Sequence, residues 1–89
     1  MTLGPVGQRI TQKLTDAFSP AELNVIDESH KHAGHAGARP EGETHFRVEI
    51  IAAAFDGKSL IARHRLINEA LAEELADRVH ALSISATAP

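Results

Sequence analysis

At 89 residues the chain has room for one core, burying about 60% of the surface an unfolded chain exposes, so residues 1–89 are read as a single domain. Hydrophobic residues make up 43% and charged residues 24%, a composition that folds, while three phenylalanines without tyrosine or tryptophan exclude a stacking platform for single-stranded nucleic acid. A net charge of -3 counts against bulk attraction to phosphate backbones or anionic membranes, and the absence of cysteine removes disulfides, thiol nucleophiles and thiolate metal ligands.

Met1 to Gly7 lacks a basic segment followed by an apolar run. No apolar stretch approaches the roughly 18 residues of a bilayer span, which places the chain in the cytosol with no membrane partner. Pro5 suits a first helical turn, and Val6, Ile10, Leu14 and Phe18 recur at four-residue spacing until Ser19-Pro20 ends the helix. Leu23 to Asp27 reads as a short strand. From His30 to Gly42 glycines, a proline and three histidines replace any apolar period, so this is a loop, long for so small a domain.

Thr44 to Ala52 alternates, with Phe46, Val48 and Ile50 on the buried side and His45, Arg47 and Glu49 opposite; His45 reads there as ordinary surface. Asp56-Gly57 makes a turn. Ser59 then caps a helical segment with Leu60, His64, Ile67, Leu71 and Leu75 near one face, and a second cap at Asn68 would divide it in two. Val79 to Ala86 is a last strand, with His80, Leu82, Ile84 and Ala86 on one side. The order is α-β-β-α-α-β.

The densest chemical signal is His30-Lys31-His32-Ala33-Gly34-His35, three imidazoles within six residues. Imidazole suits zinc, copper, nickel and iron, but a closed structural site takes four ligands, so this loop alone would make an incomplete, exchangeable one. The same residues also read as a solvated polar loop. Gly34-His35-Ala36-Gly37 matches the Gly-x-x-Gly backbone clamp of KH domains but falls between strands, where that clamp does not occur. Arg63-His64-Arg65 offers guanidinium groups for phosphate on a helix, with Glu69, Glu73, Glu74 and Asp77 nearby to oppose a nucleic-acid footprint. By pattern alone, His64 and His80 both read as packed histidines. No spacing nominates a nucleophile with its base, or paired carboxylates, so an enzyme is not expected.

Phe55-x-Gly57 followed by Arg63-His64-Arg65-x-x-Asn68 resembles the BolA family. The resemblance extends to Asp27-Glu28-Ser29 before the loop, Glu43-Thr44-His45-Phe46 after it and Val79-His80-Ala81-Leu82 in the last strand. It implies an α+β fold, a three-stranded mixed sheet with helices packed on one face, related to class II KH domains. It also implies a monothiol glutaredoxin partner and a [2Fe-2S] cluster shared with that partner and glutathione, none being held tightly by the isolated chain. The ligands implied here are His80 and a loop histidine; His32 best matches the family spacing, with His30 and His35 as the other candidates.

The missing cysteine agrees with a heteromeric site, because this chain lacks soft donors of its own. Imidazole in place of thiolate on one iron should raise the reduction potential, as in Rieske centres. A second implication of the resemblance is DNA binding by a transcriptional regulator, through a helix-turn-helix segment around Arg63 to Asn68 with Lys58, Arg63 and Arg65 as contacts. A third reading is a metal-buffering loop that needs no partner.

Overall fold

The structure, a computed structural model, describes residues 3–29, 43–77 and 79–89. Helix α1 runs Pro5–Phe18, as its apolar spacing predicts, and buries Val6, Ile10 and Leu14. Strand β1 spans Glu22–Asp27 and strand β2 His45–Ile51. A short 3-10 turn, Ala53–Phe55, leads to helix α2 (Leu60–Ala70), helix α3 (Ala72–Ala76) and strand β3 (Ala81–Thr87).

The sheet order is β1-β2-β3, with β1 antiparallel and β3 parallel to β2. Phe46, Val48 and Ile50 of β2, with Leu82, Ile84 and Ala86 of β3, turn to the side that receives α1 and α2. The other face carries Arg47, Glu49, Ser83 and Ser85. This is the expected α+β layout, and period-2 alternation is its cause: each strand gives its apolar residues to a single face.

Three expectations need correction. The division between α2 and α3 falls at Leu71, not Asn68; Asn68 has helical backbone and is exposed, whereas a capping residue needs extended backbone. The break is slight, since Leu71 N–H still reaches Ile67 O at 3.0 Å and Leu75 N–H reaches Leu71 O at 3.0 Å. Leu60, expected on the buried stripe, is 66% exposed, because the first turn of α2 projects beyond the core that Ile67 and Leu71 enter. Finally, β3 begins at Ala81, so His80 precedes the strand and is exposed rather than packed.

The resemblance motif Phe55-x-Gly57 has a structural role. Phe55 is fully buried, its ring 5.0 Å from that of Phe18, and Gly57 takes φ +74°, a left-handed conformation that L side chains adopt only with strain. Ser59 Oγ accepts the Ala62 N–H at 3.1 Å and caps α2 as its sequence predicts.

Helices α1 and α3 are joined by a buried charge. The Glu74 side chain is 3% exposed and its carboxylate meets Lys13 Nζ at 2.9 Å and Arg9 Nε at 3.6 Å. The hydrogen bond to Glu74 holds the Lys13 ammonium above its ordinary 10.5, outweighing the opposing desolvation. A group whose pKa is raised by folding stabilises the fold below its unfolded pKa and loses that contribution as pH rises through the folded value. Without tyrosine or cysteine, lysines are the side chains that titrate between about pH 9 and 12. The urea midpoint should therefore fall above about pH 10.5 in the wild type. In Glu74→Gln it should be lower at neutral pH and lose this alkaline step; an identical alkaline decline in both chains would contradict the assignment.

Candidate functional site

The expected loop ligands His30, His32 and His35, and the Gly34 to Gly37 pattern, lie outside the described residues. The two ends of their segment are described, and polar side chains tie them together. The Asp27 carboxylate closes the neck: Oδ1 accepts the Ser29 N–H at 2.9 Å and Oδ2 the Glu43 N–H at 3.1 Å. Ser29 Oγ accepts the backbone N–H of Thr44 at 2.9 Å and of His45 at 3.2 Å. Glu43 then turns away to α1, where Oε2 accepts the Gly7 N–H at 2.9 Å, one of the donors that a helix N-terminus leaves unpaired. A side chain at Gly4 would run into that carboxylate.

Thr44 joins this neck to the start of β3. Its carbonyl accepts the His80 N–H at 2.7 Å and the Ala81 N–H at 3.3 Å. Parallel pairing sets His45 opposite Ala81, and the rings of His45 and His80 lie with centroids 6.4 Å apart and planes at 39°. His45 Nδ1 is 2.8 Å from Thr44 Oγ1. An ion pair, Arg47 Nε to Glu28 Oε2 at 3.4 Å, borders the corner on the open face. One end of the sheet thus gathers both ends of the histidine-rich segment, an exposed His80 and a half-buried His45. Among the described residues no three histidine or carboxylate groups converge as a metal site.

His45, expected to be ordinary surface, is half-buried at this corner, and Asp27, Ser29 and Thr44, which the sequence does not nominate as site residues, shape it. The signal that could have found them is that they flank the loop in two short polar motifs, Asp27-Glu28-Ser29 and Glu43-Thr44-His45. Both motifs are the two sides of one neck.

The residues proposed for DNA are placed differently. The Arg63 guanidinium is engaged within the fold, with Nη1 donating to Ala86 O at 3.0 Å and Nε to Lys58 O at 3.0 Å. Lys58 and Arg65 are exposed, and His64 is half-buried. No helix among the described residues is long and apolar enough to cross a membrane.

Comparison with known proteins agrees with the family resemblance. The chain is 50% identical over 93 residues to SufE-like protein 1, chloroplastic/mitochondrial, of Arabidopsis thaliana, covering all of this chain and 25% of that protein. It is 50% identical over 86 residues to BolA-like protein 1 of Mus musculus, covering 97% of this chain and 60% of that one. The chain therefore spans a quarter and three-fifths, respectively, of these relatives. The solved BolA domain of SufE1 from Arabidopsis thaliana superposes with a TM-score of 0.90 at 50% identity, covering 99% of this chain and 96% of that domain. The family profile described as BolA-like protein matches residues 14–89, and with these relatives it shows that the chain belongs to the BolA family.

Proposed function

We propose that this chain is a binding partner of a monothiol glutaredoxin and completes a shared [2Fe-2S] site through His80 and one histidine of segment 30–42, with His32 first and His30 and His35 as the other candidates. The observation that carries this reading is the neck: Asp27, Ser29 and Thr44 fasten both ends of the histidine-rich segment beside the backbone of His80. The described ends of that segment stand beside His80 in the fold, although they are far from it in sequence.

The donor set fits one side of such a site. Imidazole nitrogens bind iron, but a chain without cysteine has no thiolates, so the remaining ligands come from the partner and its glutathione. The cluster is cargo passed or sensed at this joint, and the chain's own part is binding rather than catalysis. The cytosolic setting expected from the sequence belongs to the same proposal, although the Arabidopsis thaliana relative is named for chloroplasts and mitochondria. The DNA reading gains nothing from the structure, since Arg63 is already occupied by two carbonyls.

The test is to mix the chain with a cluster-loaded monothiol glutaredoxin and follow visible circular dichroism. A stoichiometric heterocomplex with a spectrum unlike the glutaredoxin's own is expected; a spectrum that is the simple sum of the parts rejects the proposal. His32→Ala, His30→Ala and His35→Ala in the same assay identify the loop ligand as the variant that returns the glutaredoxin's own spectrum.

A further inference from the structure

We propose that the open edge of β3 is a self-recognition surface, on which two copies of this chain pair antiparallel about a twofold axis at Ser83. The sheet ends at β3, which has β2 on one side and no strand on the other. Backbone groups alternate in direction along a strand, and the register shows which of them turn outward. Ala81 N–H bonds to Thr44 O at 3.3 Å and Thr87 O accepts the Ala52 N–H at 3.0 Å, so residues 81, 83, 85 and 87 direct their amides to β2. Leu82, Ile84 and Ala86 therefore direct theirs away from it. Arg63 agrees with this direction, since its Nη1 reaches Ala86 O from α2 at 3.0 Å.

That contact also bounds the open stretch. Ala86 O is taken by Arg63 at one end, and the His80 N–H is taken by Thr44 O, 2.7 Å away, at the other. Between them stand the amides of Leu82 and Ile84. Two copies placed about Ser83 match Leu82 with Ile84 of the second copy and Ile84 with its Leu82, each pair exchanging N–H and C=O as a hydrogen-bonded antiparallel pair does. The next pair, His80 with Ala86, falls on groups already engaged. The ladder thus has the length of the open stretch.

Composition favours a copy of the same strand as the occupant. Natural edges are commonly protected by charge, proline or a bulge. The other edge strand, β1, carries Glu22 and Asp27, whereas Ala81–Thr87 contains no charged residue, glycine or proline. Across the axis no like charges meet. Leu82 lies beside Ile84 on the helix side, and the exposed Ser83 faces its own copy on the open side. Such self-complementarity is what a twofold interface requires, and a contact this small gives a weak, reversible dimer.

Sedimentation velocity on the full chain, from micromolar to millimolar concentration, should show a reversible monomer–dimer equilibrium. Ser83→Lys and Ser83→Asp each set like charges opposite one another and should weaken association by up to about fivefold, while an equimolar mixture of the two should associate at least as well as wild type. Urea unfolding followed by circular dichroism checks that both variants keep the fold. Cysteine substitution reads the register, in a chain that has no other cysteine. Ser83→Cys sets two Cα atoms about 4.5 Å apart in a non-hydrogen-bonded pair and should give a disulfide-linked dimer under mild oxidation. Ser85→Cys sets its two copies roughly 13 Å apart along the strands and should link poorly. A wild-type chain that stays monomeric to millimolar concentration overturns the proposal and leaves the edge to a strand of another protein. A dimer that Ser85→Cys traps as readily as Ser83→Cys, or whose charge variants are not restored by mixing, pairs through another surface and overturns it equally.

Discussion

His80→Ala should abolish the mixed spectrum of the heterocomplex while leaving the fold almost as stable as before. His80 is exposed and precedes β3, and its contribution to the fold passes through its backbone N–H, which alanine keeps. Exposed substitutions of this kind change stability by no more than about 0.5 kcal/mol. The shared site, by contrast, would lose a ligand that nothing else described in this chain replaces at that position. The measurement pairs urea unfolding with the glutaredoxin titration: an unchanged midpoint and a lost or glutaredoxin-like spectrum are expected. His80→Cys offers the complementary arm. It restores a ligand but exchanges imidazole for thiolate, so the cluster should assemble at a lower reduction potential. A His80→Ala complex with an unaltered spectrum would remove the basis of the functional reading.

The opposite end of the sheet gives the largest expected effect on stability. Phe55 is fully buried against Phe18, and Phe55→Ala should destabilise the chain by about 3–5 kcal/mol from lost burial and the cavity left behind. A domain of this length has about 4–13 kcal/mol in total, so the variant should be marginally folded at room temperature or unfolded. Circular dichroism during urea unfolding measures this directly, and a loss under about 1 kcal/mol would mean that the core closes over the gap. Phe55→Leu should lose much less, since most of the volume remains. Where it folds, Phe55→Leu should still form the heterocomplex normally, because Phe55 follows the C-terminal end of β2 and His80 precedes the start of β3.

These two residues show what could be read from sequence and what could not. The stripe Val6, Ile10, Leu14 and the alternation Phe46, Val48, Ile50 are local periodicities, and they specify α1 and β2 directly. Alternation starts the last strand at Val79, two residues before Ala81, because the pattern continues through residues that precede the ladder. His45 read as plain surface for a different reason. Its place beside a ring 35 positions away comes from strand pairing, and which residue stands opposite it depends on whether β3 runs parallel or antiparallel to β2. Periodicity contains no information about that direction. Leu60 reversed the error: its spacing matched the stripe, but the end of α2 extends past the sheet it packs on. The resemblance motifs were informative about the family, yet Phe55-x-Gly57 proves to hold the core and a turn, while Asp27, Ser29 and Thr44 shape the corner.

The parallel pairing of β2 and β3 also fixes when that corner can exist. A hairpin brings its strands together within a few residues of synthesis, whereas parallel neighbours need a crossover, here through α2 and α3, before the second strand can align. A growing polypeptide that has emerged only as far as α2 carries His45 and the histidine-rich segment but not His80. Under the proposed function, completion of a shared cluster site at this corner would be deferred until the last strand is in place, so that a half-made chain would lack one of the two ligands for a scarce and reactive cargo.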